Sequence, residues 1–260
     1  MGLGRLAQKV YDRHFISKDV AALLAKENSA GPVLWFKLLH LLRRKQVFQM
    51  SVHGRPIFVR SATPDVGVAF LSLGDELDEV IVIVPPDCSG LIIDAGGYIG
   101  TTALKLASAF PQAKVVTIEP SSGNLEVLRR NVHGVENIEV MQAVVSSGEG
   151  YAELMNIGTQ EWGFSLLNAP GKTGAVVDRV KKVTIEQLAG AGEIALLKMD
   201  IEGAEAEVLA TSSTWMGLTK VLVAELHEWL VPGVIATFNS ATSGRANRAL
   251  AGEKVVSVRH

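Results

Sequence analysis

Four ionisable side chains that could do chemistry lie at the ends of apolar runs in the second half of the chain. The run Ile194–Met199 contains Lys198 and leads to Asp200, and a later run reaches Glu225 two residues before His227. A strand period of two places Lys198 and Asp200 on one face, and likewise Glu225 and His227. We predict that these groups converge as catalytic residues, where they could remove the proton of a hydroxyl group.

Two kinds of chemistry fit this set. His227 could be a general base, and the rate should then rise with pH through about 6.5, the unperturbed pKa of histidine. Asp200 and Glu225 could instead bind a divalent cation, and their hard oxygen ligands would favour Mg²⁺. The nearby Glu202 and Glu205 also have a purely structural interpretation, because they could begin a helix and stabilise its N-terminal dipole.

A glycine-rich turn follows an earlier apolar run and is a candidate cofactor loop. It does not fit the G-x-G-x-x-G pattern of dinucleotide sites, since Tyr98 or Ile99 stands where the second glycine must leave room for a pyrophosphate. It fits D-x-G-x-x-x-G, the pattern of loops that hold S-adenosylmethionine, which has no phosphate. The predicted loop contacts are Asp94, Ala95, Gly96, Gly97, Tyr98 and Gly100.

A second carboxylate supports this site. Glu119, followed by Pro120, closes the next apolar run 25 residues after Asp94. A carboxylate there can accept hydrogen bonds from both ribose hydroxyls and would repel a 2′-phosphate. The loop, Glu119 and Pro120 together predict an adenosine-type cofactor site.

An α/β sheet is needed to position these residues. Apolar runs alternate with helical segments, which predicts a doubly wound, mostly parallel sheet covered on both faces, with ligands at the carboxyl ends of the strands. Predicted strands cover residues 91–94, 114–119, 137–145, 194–200 and 220–226, with a β-rich insertion at 151–183. After His227 only Val255–Val258 has a strand pattern, which predicts a shortened C-terminal part of the sheet.

Several segments resemble one known family. The run VKKVTIEQLAGAGEIALLKMDIEGAEAEVL, residues 180–209, resembles the signature of the FkbM family of S-adenosylmethionine-dependent methyltransferases, as do DAGGYIGTTA, VVTIEPSSGNLEVLRRNV and VLVAELH in the same order. The resemblance implies a class I, Rossmann-like fold and O-methylation of a hydroxyl, often on a sugar or secondary metabolite. It implies cofactor roles for Asp94, Gly96, Gly100 and Glu119, and acceptor-side roles for Asp200, Glu225 and His227. Gly97-Tyr98 departs from the family's usual Ala-Asn.

Composition excludes several other classes. The chain has 25 basic and 27 acidic residues, which argues against a nucleic-acid binder. Cys88 is the single cysteine, so there is no disulfide framework. No apolar run approaches the roughly 20 residues of a membrane span, and residues 1–20 have no signal-peptide pattern. A cytoplasmic protein with a small-molecule, glycan or glycolipid acceptor is expected.

The charge is concentrated at the N-terminus. The first 60 residues carry 11 Lys/Arg and three Asp/Glu, and we predict an extension over residues 1–60 before a catalytic domain over 61–260. Residues 35–45 predict an amphipathic helix with a basic last turn, followed by a hairpin around His53-Gly54. The helix could dock on the inner membrane surface or on a partner, or pack on its own domain.

Three functions remain open from the sequence. The first is an O-methyltransferase acting on a hydroxyl of a sugar, glycolipid or secondary metabolite. The second is an NAD(P)- or nucleotide-sugar-binding oxidoreductase, against which the failed G-x-G-x-x-G pattern counts. The third is a non-catalytic, membrane-associated adaptor with a methyltransferase fold. The basic helix and the shortened C-terminus favour it.

Overall fold

The computed structural model describes residues 20–156, 175–250 and 252–259. The chain divides into two compact units, Met1–Asp75 and Glu76–His260. The boundary therefore lies 15 residues beyond the Arg60 that we expected. Within the described residues, no helix combines the length and apolar content needed to cross a membrane.

The first unit consists of helices around a hairpin. Its elements are α1 (Val20–Glu27), α2 (Ala30–Leu41), β1 (Val47–Val52), β2 (Arg55–Arg60) and α3 (Asp65–Leu73). The predicted hairpin is confirmed, because β1 and β2 pair antiparallel around His53 and Gly54, whose φ angles are 49° and 72°. Two consecutive positive φ angles are the geometry of the tight turns that favour hairpin twist.

Helix α3 extends this unit beyond the predicted boundary because its first residue is tied to the hairpin. Asp65 is fully buried and accepts hydrogen bonds from Nε and a terminal nitrogen of Arg60, at 2.9 and 3.0 Å. It also accepts from the backbone N–H of Arg60 at 2.8 Å. A buried carboxylate requires such partners, so the segment after the hairpin folds back onto it.

The second unit contains a seven-stranded sheet. Its strands are β3 (Leu91–Ala95), β4 (Lys114–Ile118), β5 (Ile138–Met141), β9 (Ile194–Met199), β10 (Thr219–Glu225), β11 (Ala246–Ala249) and β12 (Lys254–Val258). They lie in the order β11-β12-β10-β9-β3-β4-β5. The central strands are parallel, whereas β12 is antiparallel to β10, and β11 to β12. The helices are α4 (Asp78–Ile81), α5 (Thr101–Ala109), α6 (Ser122–Asn131), α7 (Ile185–Ala189), α8 (Glu205–Ala210) and α9 (Val234–Ala241).

This arrangement confirms the predicted doubly wound, mostly parallel sheet. Neighbouring residues of one strand contribute to different cores: Leu197 lies in one apolar cluster with Trp215 and Phe238, and Leu196 in the other with Phe110. Both faces of the sheet are thus covered, which explains why the central strands are continuous apolar runs.

The prediction of a shortened C-terminus was wrong. Residues 246–249 form β11, which pairs with β12 along its whole length and completes the seventh strand. All four β11 residues are exposed, so this edge strand carries no apolar signal and its pairing alone defines it.

The predicted third strand is divided between two sheets. Residues 138–141 form β5 of the main sheet, whereas β6 (Val144–Val145) joins a second sheet in the order β6-β8-β7. The other members are β7 (Gly150–Asn156) and β8 (Ala175–Val183), which form an antiparallel pair as expected of a β-rich insertion. Residues 157–174 of that insertion lie outside the described part of the chain.

Candidate active site

The glycine-rich turn and the segment after β9 meet at the carboxyl edge of the sheet. The backbone N–H of Asp200 donates to the carbonyl oxygen of Ala95 at 3.1 Å. A Cβ on Gly96, whose φ is +89°, would lie 1.9 Å from the carbonyl oxygen of Asp200. Glycine is therefore required at position 96 by the close approach of another strand end.

Gly97 is also explained by a neighbour within the protein. A Cβ there would lie 2.2 Å from the hydroxyl oxygen of Thr117. That hydroxyl donates a 2.9 Å hydrogen bond to Oδ2 of the fully buried Asp94, so it cannot move away without leaving this oxygen unpaired. Thr117 and Gly97 are thus a matched pair that holds Asp94.

Replacing Gly97 by alanine should therefore destabilise the protein. We expect a loss of about 1–3 kcal/mol in the free energy of unfolding, the usual cost of overpacking. Gly123→Ala is the matched control, because Gly123 lies in α6 and a Cβ there would meet only the hydroxyl oxygen of Ser121, at 3.9 Å. Alanine at that position should raise the free energy of unfolding by about 0.5–1 kcal/mol. Urea titration of both variants measures the difference, and equal stability would contradict the contact.

Glu119, predicted to bind ribose, also organises the loop around it. Its Oε2 accepts from the backbone N–H of Tyr98 at 2.9 Å, and its Oε1 from the backbone N–H of Ser121 at 2.9 Å and from Nδ2 of Asn124 at 3.0 Å. These bonds use three of about four acceptor positions of a carboxylate, which leaves one for a ligand. Burial raises the pKa of Glu119 to about 7, although the three hydrogen bonds oppose this shift.

The remaining predicted loop residues lie where the sequence placed them. Ala95 is the last residue of β3, Gly100 precedes α5 with a φ of 84°, and Pro120 follows β4. Tyr98 has a φ of 49°, an unusual backbone conformation for a residue with a Cβ. The loop thus turns sharply at Tyr98, and the backbone N–H of Tyr98 donates a hydrogen bond to Glu119.

Lys198 connects the glycine-rich loop to the acidic side of the site. Its Nζ donates to the carbonyl oxygen of Gly96 at 2.9 Å and lies 3.5 Å from Asp94 and 3.4 Å from Asp200. Burial lowers the pKa of Lys198, but the charges of Asp200 and Asp94 outweigh it and raise the pKa above its usual value. Lys198 therefore stays protonated near neutral pH and cannot serve as a base. What it contributes to the site is a positive charge at a fixed position.

Asp94 keeps one free acceptor. Its Oδ1 is buried and has no hydrogen bond, although Lys198 lies within ion-pair distance. Burial raises the pKa of Asp94, and the charge of Lys198 opposes this shift. A buried carboxylate oxygen without a hydrogen bond is costly, and a ligand that donates one would relieve the cost.

His227 is oriented by Glu205, a residue for which the sequence left a structural and a functional interpretation open. Nδ1 of His227 lies 2.9 Å from Oε1 of Glu205, which is fully buried. Glu205 also accepts from the backbone N–H groups of Ile201 and Gly203, at 3.1 and 2.9 Å. Because these donors fix the carboxylate, Nδ1 carries the proton and Nε2 points to the other side of the ring.

On that other side stand two further carboxylates. Nε2 of His227 lies 3.8 Å from Oε2 of Glu202 and 3.9 Å from Oδ1 of Asp200. Ligand atoms of Asp200, Glu202 and His227 all lie within 4.8 Å of one another, so this group could also hold a metal ion. Glu202 has a positive φ of 51° and lies in the loop before α8. Its carboxylate faces His227, so Glu202 is not the first residue of that helix.

The charges of this cluster set its proton affinities. Burial lowers the pKa of His227, but the hydrogen bond of Glu205 and the charge of Glu202 outweigh it and raise the pKa to about 10. Burial and the charge of Asp200 raise the pKa of Glu202 to about 8. Lys198 and His227 lower the pKa of Asp200 against the effect of burial. His227 is therefore cationic at neutral pH, with a pKa above the unperturbed value of about 6.5.

Together with His227 and Glu253, Glu225 forms a second group whose ligand atoms all lie within 4.8 Å of one another and could hold a metal ion. Glu225 is not in the group that contains Asp200, where we expected it. Its Oε2 forms a 2.9 Å ion pair with Nζ of Lys254, the residue opposite it on β12. Because β10 ends at Glu225, His227 lies in the following loop rather than on the strand. The metal-ligand group that contains Asp200 includes Glu202 in place of Glu225.

The raised pKa of His227 predicts a loss of stability in alkali. Between about 6.5, the unperturbed value, and about 10, the folded protein holds a proton that the unfolded chain has lost. The stabilisation is complete below pH 6.5 and disappears as the pH rises through 10. Glu202 contributes in the same direction up to about pH 8. Urea unfolding across this range should show a fall in stability that is smaller in His227→Gln, and an equal fall in both proteins would contradict the assignment.

An exposed aromatic side chain adjoins the cluster. Trp229 is 59% exposed, and its ring centroid lies 6.2 Å from that of His227 at an interplanar angle of 81°. Its loop is held by Glu228, whose carboxylate accepts from the backbone N–H groups of Gly233 and Ile235 at 2.7 and 3.0 Å. The indole is thus presented to solvent from a fixed loop beside the imidazole.

Comparison with known families gives one match over half of the chain. The family described as Methyltransferase FkbM domain matches residues 94–231. This range contains the glycine-rich loop, Glu119, Lys198 and the whole cluster around His227. The insertion between β7 and β8 also falls within it.

Two curated proteins are similar at low identity. The chain is 26% identical over 156 residues to Methyltransferase 1 of Beauveria bassiana, covering 51% of this chain and 62% of that protein. It is 27% identical over 151 residues to Methyltransferase sdnD of Sordaria araneosa, covering 45% of this chain and 58% of that protein. The matches thus span about three fifths of the length of these relatives.

Two solved structures are also similar. Methyltransferase FkbM from Methylobacillus flagellatus has 13% identity and a TM-score of 0.44, covering 66% of this chain and 44% of that chain. A methyltransferase from Geobacter sulfurreducens has 17% identity and a TM-score of 0.43, covering 74% and 78% respectively.

Proposed function

Because the chain belongs to the FkbM methyltransferase family, we propose that it transfers a methyl group from S-adenosylmethionine to a hydroxyl group of a sugar-type acceptor. The observation that carries this proposal is the cluster of the partly buried Asp200 and Glu202 with the buried His227, next to the glycine-rich loop. It supplies a means of removing a proton close to a predicted cofactor site, and O-methylation needs both.

The residues of the loop fit this cofactor chemically. S-adenosylmethionine offers hydrogen-bond donors, an ammonium group and two ribose hydroxyls, and when bound it supplies an electrophilic methyl group on a sulfonium. Asp94 has a buried oxygen without a hydrogen bond, and Glu119 has one acceptor position left. We assign the ribose to Glu119 and a donor group of the methionine part to Asp94.

Proton removal falls to Glu202 in this proposal. A general base works best when its pKa lies near the working pH. Of the three groups in the cluster, the Glu202 carboxyl comes closest, with a pKa of about 8, whereas the imidazolium of His227 already holds its proton. Asp200 and His227 orient Glu202 and the incoming hydroxyl, and Glu205 fixes His227.

The acceptor class follows from the surroundings of the cluster. Carboxylates beside an exposed indole suit a molecule with hydroxyl groups on its edge and an apolar C–H face, which is the character of a sugar ring. Trp229 would bind the apolar face, while Asp200 and Glu202 accept hydrogen bonds from hydroxyls.

One of the two arguments for a non-catalytic adaptor no longer applies. That argument was a shortened C-terminal part of the sheet, and the sheet has all seven strands.

A metal ion is an alternative means of deprotonation at the same place. Asp200 and Glu202 offer oxygen ligands and His227 offers Nε2, while Glu205 at Nδ1 resembles the outer carboxylate that orients many metal-bound histidines. Such a site, Mg²⁺ included, would require His227 to lose its proton on binding. The two mechanisms differ in their response to a chelator.

The proposal is tested by binding and by turnover. We expect calorimetry to detect binding of S-adenosylmethionine and of its demethylated product, and no binding of NAD. Mass spectrometry of a mixed pool of glycans, glycolipids and hydroxylated metabolites should then show the gain of one methyl group. Tight NAD binding without S-adenosylmethionine binding would favour the oxidoreductase. Activity that survives a chelator supports Glu202 as the base, and activity that is lost favours the metal.

A further inference from the structure

Helix α2 has an unusual distribution of apolar side chains. Its buried face consists of Val33, Phe36 and Leu39, and Phe36 packs edge-on against Phe48 of β1 at 5.3 Å. The opposite side of the helix is apolar as well, but it faces solvent. The large apolar residues Leu34, Trp35, Leu38, Leu41 and Leu42 are exposed by 64, 48, 42, 79 and 54%.

These five residues form one continuous apolar ridge. At 100° per residue they fall within an arc of about 120° on the side of the helix opposite Phe36. Single exposed apolar residues are ordinary on protein surfaces, whereas a contiguous set of this size marks an interaction site. The ridge is convex, because it lies on the outer side of a single helix.

Positive charge surrounds the apolar ridge. Lys37 flanks it on the helix, and Arg43 and Arg44 follow its last leucine, all three exposed. Among the described acidic residues of this unit, Glu27 accepts from Gly54 and Ser51 and Asp65 is paired with Arg60, while Asp75 is exposed at the end of the unit. The surface around the ridge is therefore cationic, in agreement with the 11 basic and three acidic residues of the first 60.

We infer that the apolar ridge of α2 binds the surface of an anionic lipid bilayer, with the helix lying in the plane of the interface. A ridge of leucines and tryptophan bordered by cations is the pattern of interfacial helices, with the tryptophan at headgroup level. A second copy of this chain fits less well, since pairing two ridges would bring Lys37, Arg43 and Arg44 of both copies together. A bilayer accepts a convex ridge, whereas a protein partner must supply a matching groove.

Co-sedimentation of the full chain with vesicles tests this inference. We expect binding to vesicles of phosphatidylcholine with phosphatidylserine, weak binding to phosphatidylcholine alone, and weaker binding as salt increases. Trp35→Gln combined with Leu38→Gln should reduce binding at least about tenfold, since both lose apolar contact with lipid. Arg43→Gln combined with Arg44→Gln should reduce it by a similar factor on anionic vesicles only.

Leu71→Gln is the matched control, because Leu71 is an exposed leucine of the same unit, 41% exposed on α3. It should bind vesicles as the unchanged protein does. Equal binding by the Trp35/Leu38 variant would overturn the inference. So would failure of the unchanged protein to bind anionic vesicles, or a self-associating protein that becomes monomeric in the Trp35/Leu38 variant without any lipid binding.

Discussion

Replacing Glu202 by glutamine should reduce kcat by about 10²–10⁴-fold, the usual contribution of a general base. Glutamine keeps the size of the side chain but cannot accept the proton of the acceptor hydroxyl. Binding of S-adenosylmethionine should be unchanged, because the bonds that hold the glycine-rich loop come from Glu119 and Lys198. Turnover is measured on the acceptor that gains the methyl group, and cofactor binding is measured by calorimetry. The two measurements separate the effect on kcat from the effect on binding.

The pH dependence of the unchanged enzyme gives a second test of the same residue. The pKa of Glu202 is raised to about 8, so the active carboxylate is lost as the pH falls below that value. The rate should decrease about tenfold per pH unit below 8 and level off above it. A rate that follows a group near 6.5 would instead point to a neutral imidazole as the base.

Two further variants complete the test. Glu136→Gln, at an exposed position of the same unit, should retain full activity. His227→Asn should lower kcat as well, because the charge that orients Glu202 is removed. If His227→Asn abolishes turnover while Glu202→Gln leaves it intact, Glu202 is not the base.

The central strands could be predicted from the sequence because burial on both faces makes them apolar throughout. The predicted 91–94 and 194–200 differ from β3 and β9 by one residue each. The glycine-rich loop and Asp200 were found for the same reason, since they immediately follow these strands. Where a strand has no buried face, as in β11, the sequence contains no such signal.

The cluster around His227 could be predicted only in part. Glu205 reaches His227 across 22 positions of the chain, and this contact depends on how the loops after β9 and β10 fold. The spacing E-G-x-E gave a weak signal, which is equally typical of a helix N-terminus. The raised pKa of His227 is likewise a property of three carboxylates that converge in space, and no local pattern contains it.

The affinity for S-adenosylmethionine should fall in acid because of Glu119. The pKa of this buried carboxyl is about 7 in the free protein, and a ribose hydroxyl that donates to it requires the ionised form. The dissociation constant should rise by up to about tenfold per pH unit below 7, or at most about 50-fold between pH 7 and pH 5, because half of the carboxyl is already neutral at pH 7. Binding at pH 7 should also release protons, which calorimetry in buffers of different ionisation enthalpy detects.

Glu119→Gln distinguishes this titration from a structural effect. At pH 8 the variant should bind about 1.5–3 kcal/mol more weakly, the value of one hydrogen bond to a charged group, because the structure leaves one acceptor position free. At pH 5 the carboxyl of the unchanged protein is neutral too, so the two affinities should converge. A glutamine that merely disturbs Tyr98 and the loop would weaken binding equally at both pH values. Asp94, whose pKa is also raised by burial, is the other group that could titrate here, and an acid loss that persists in Glu119→Gln would move the assignment to it.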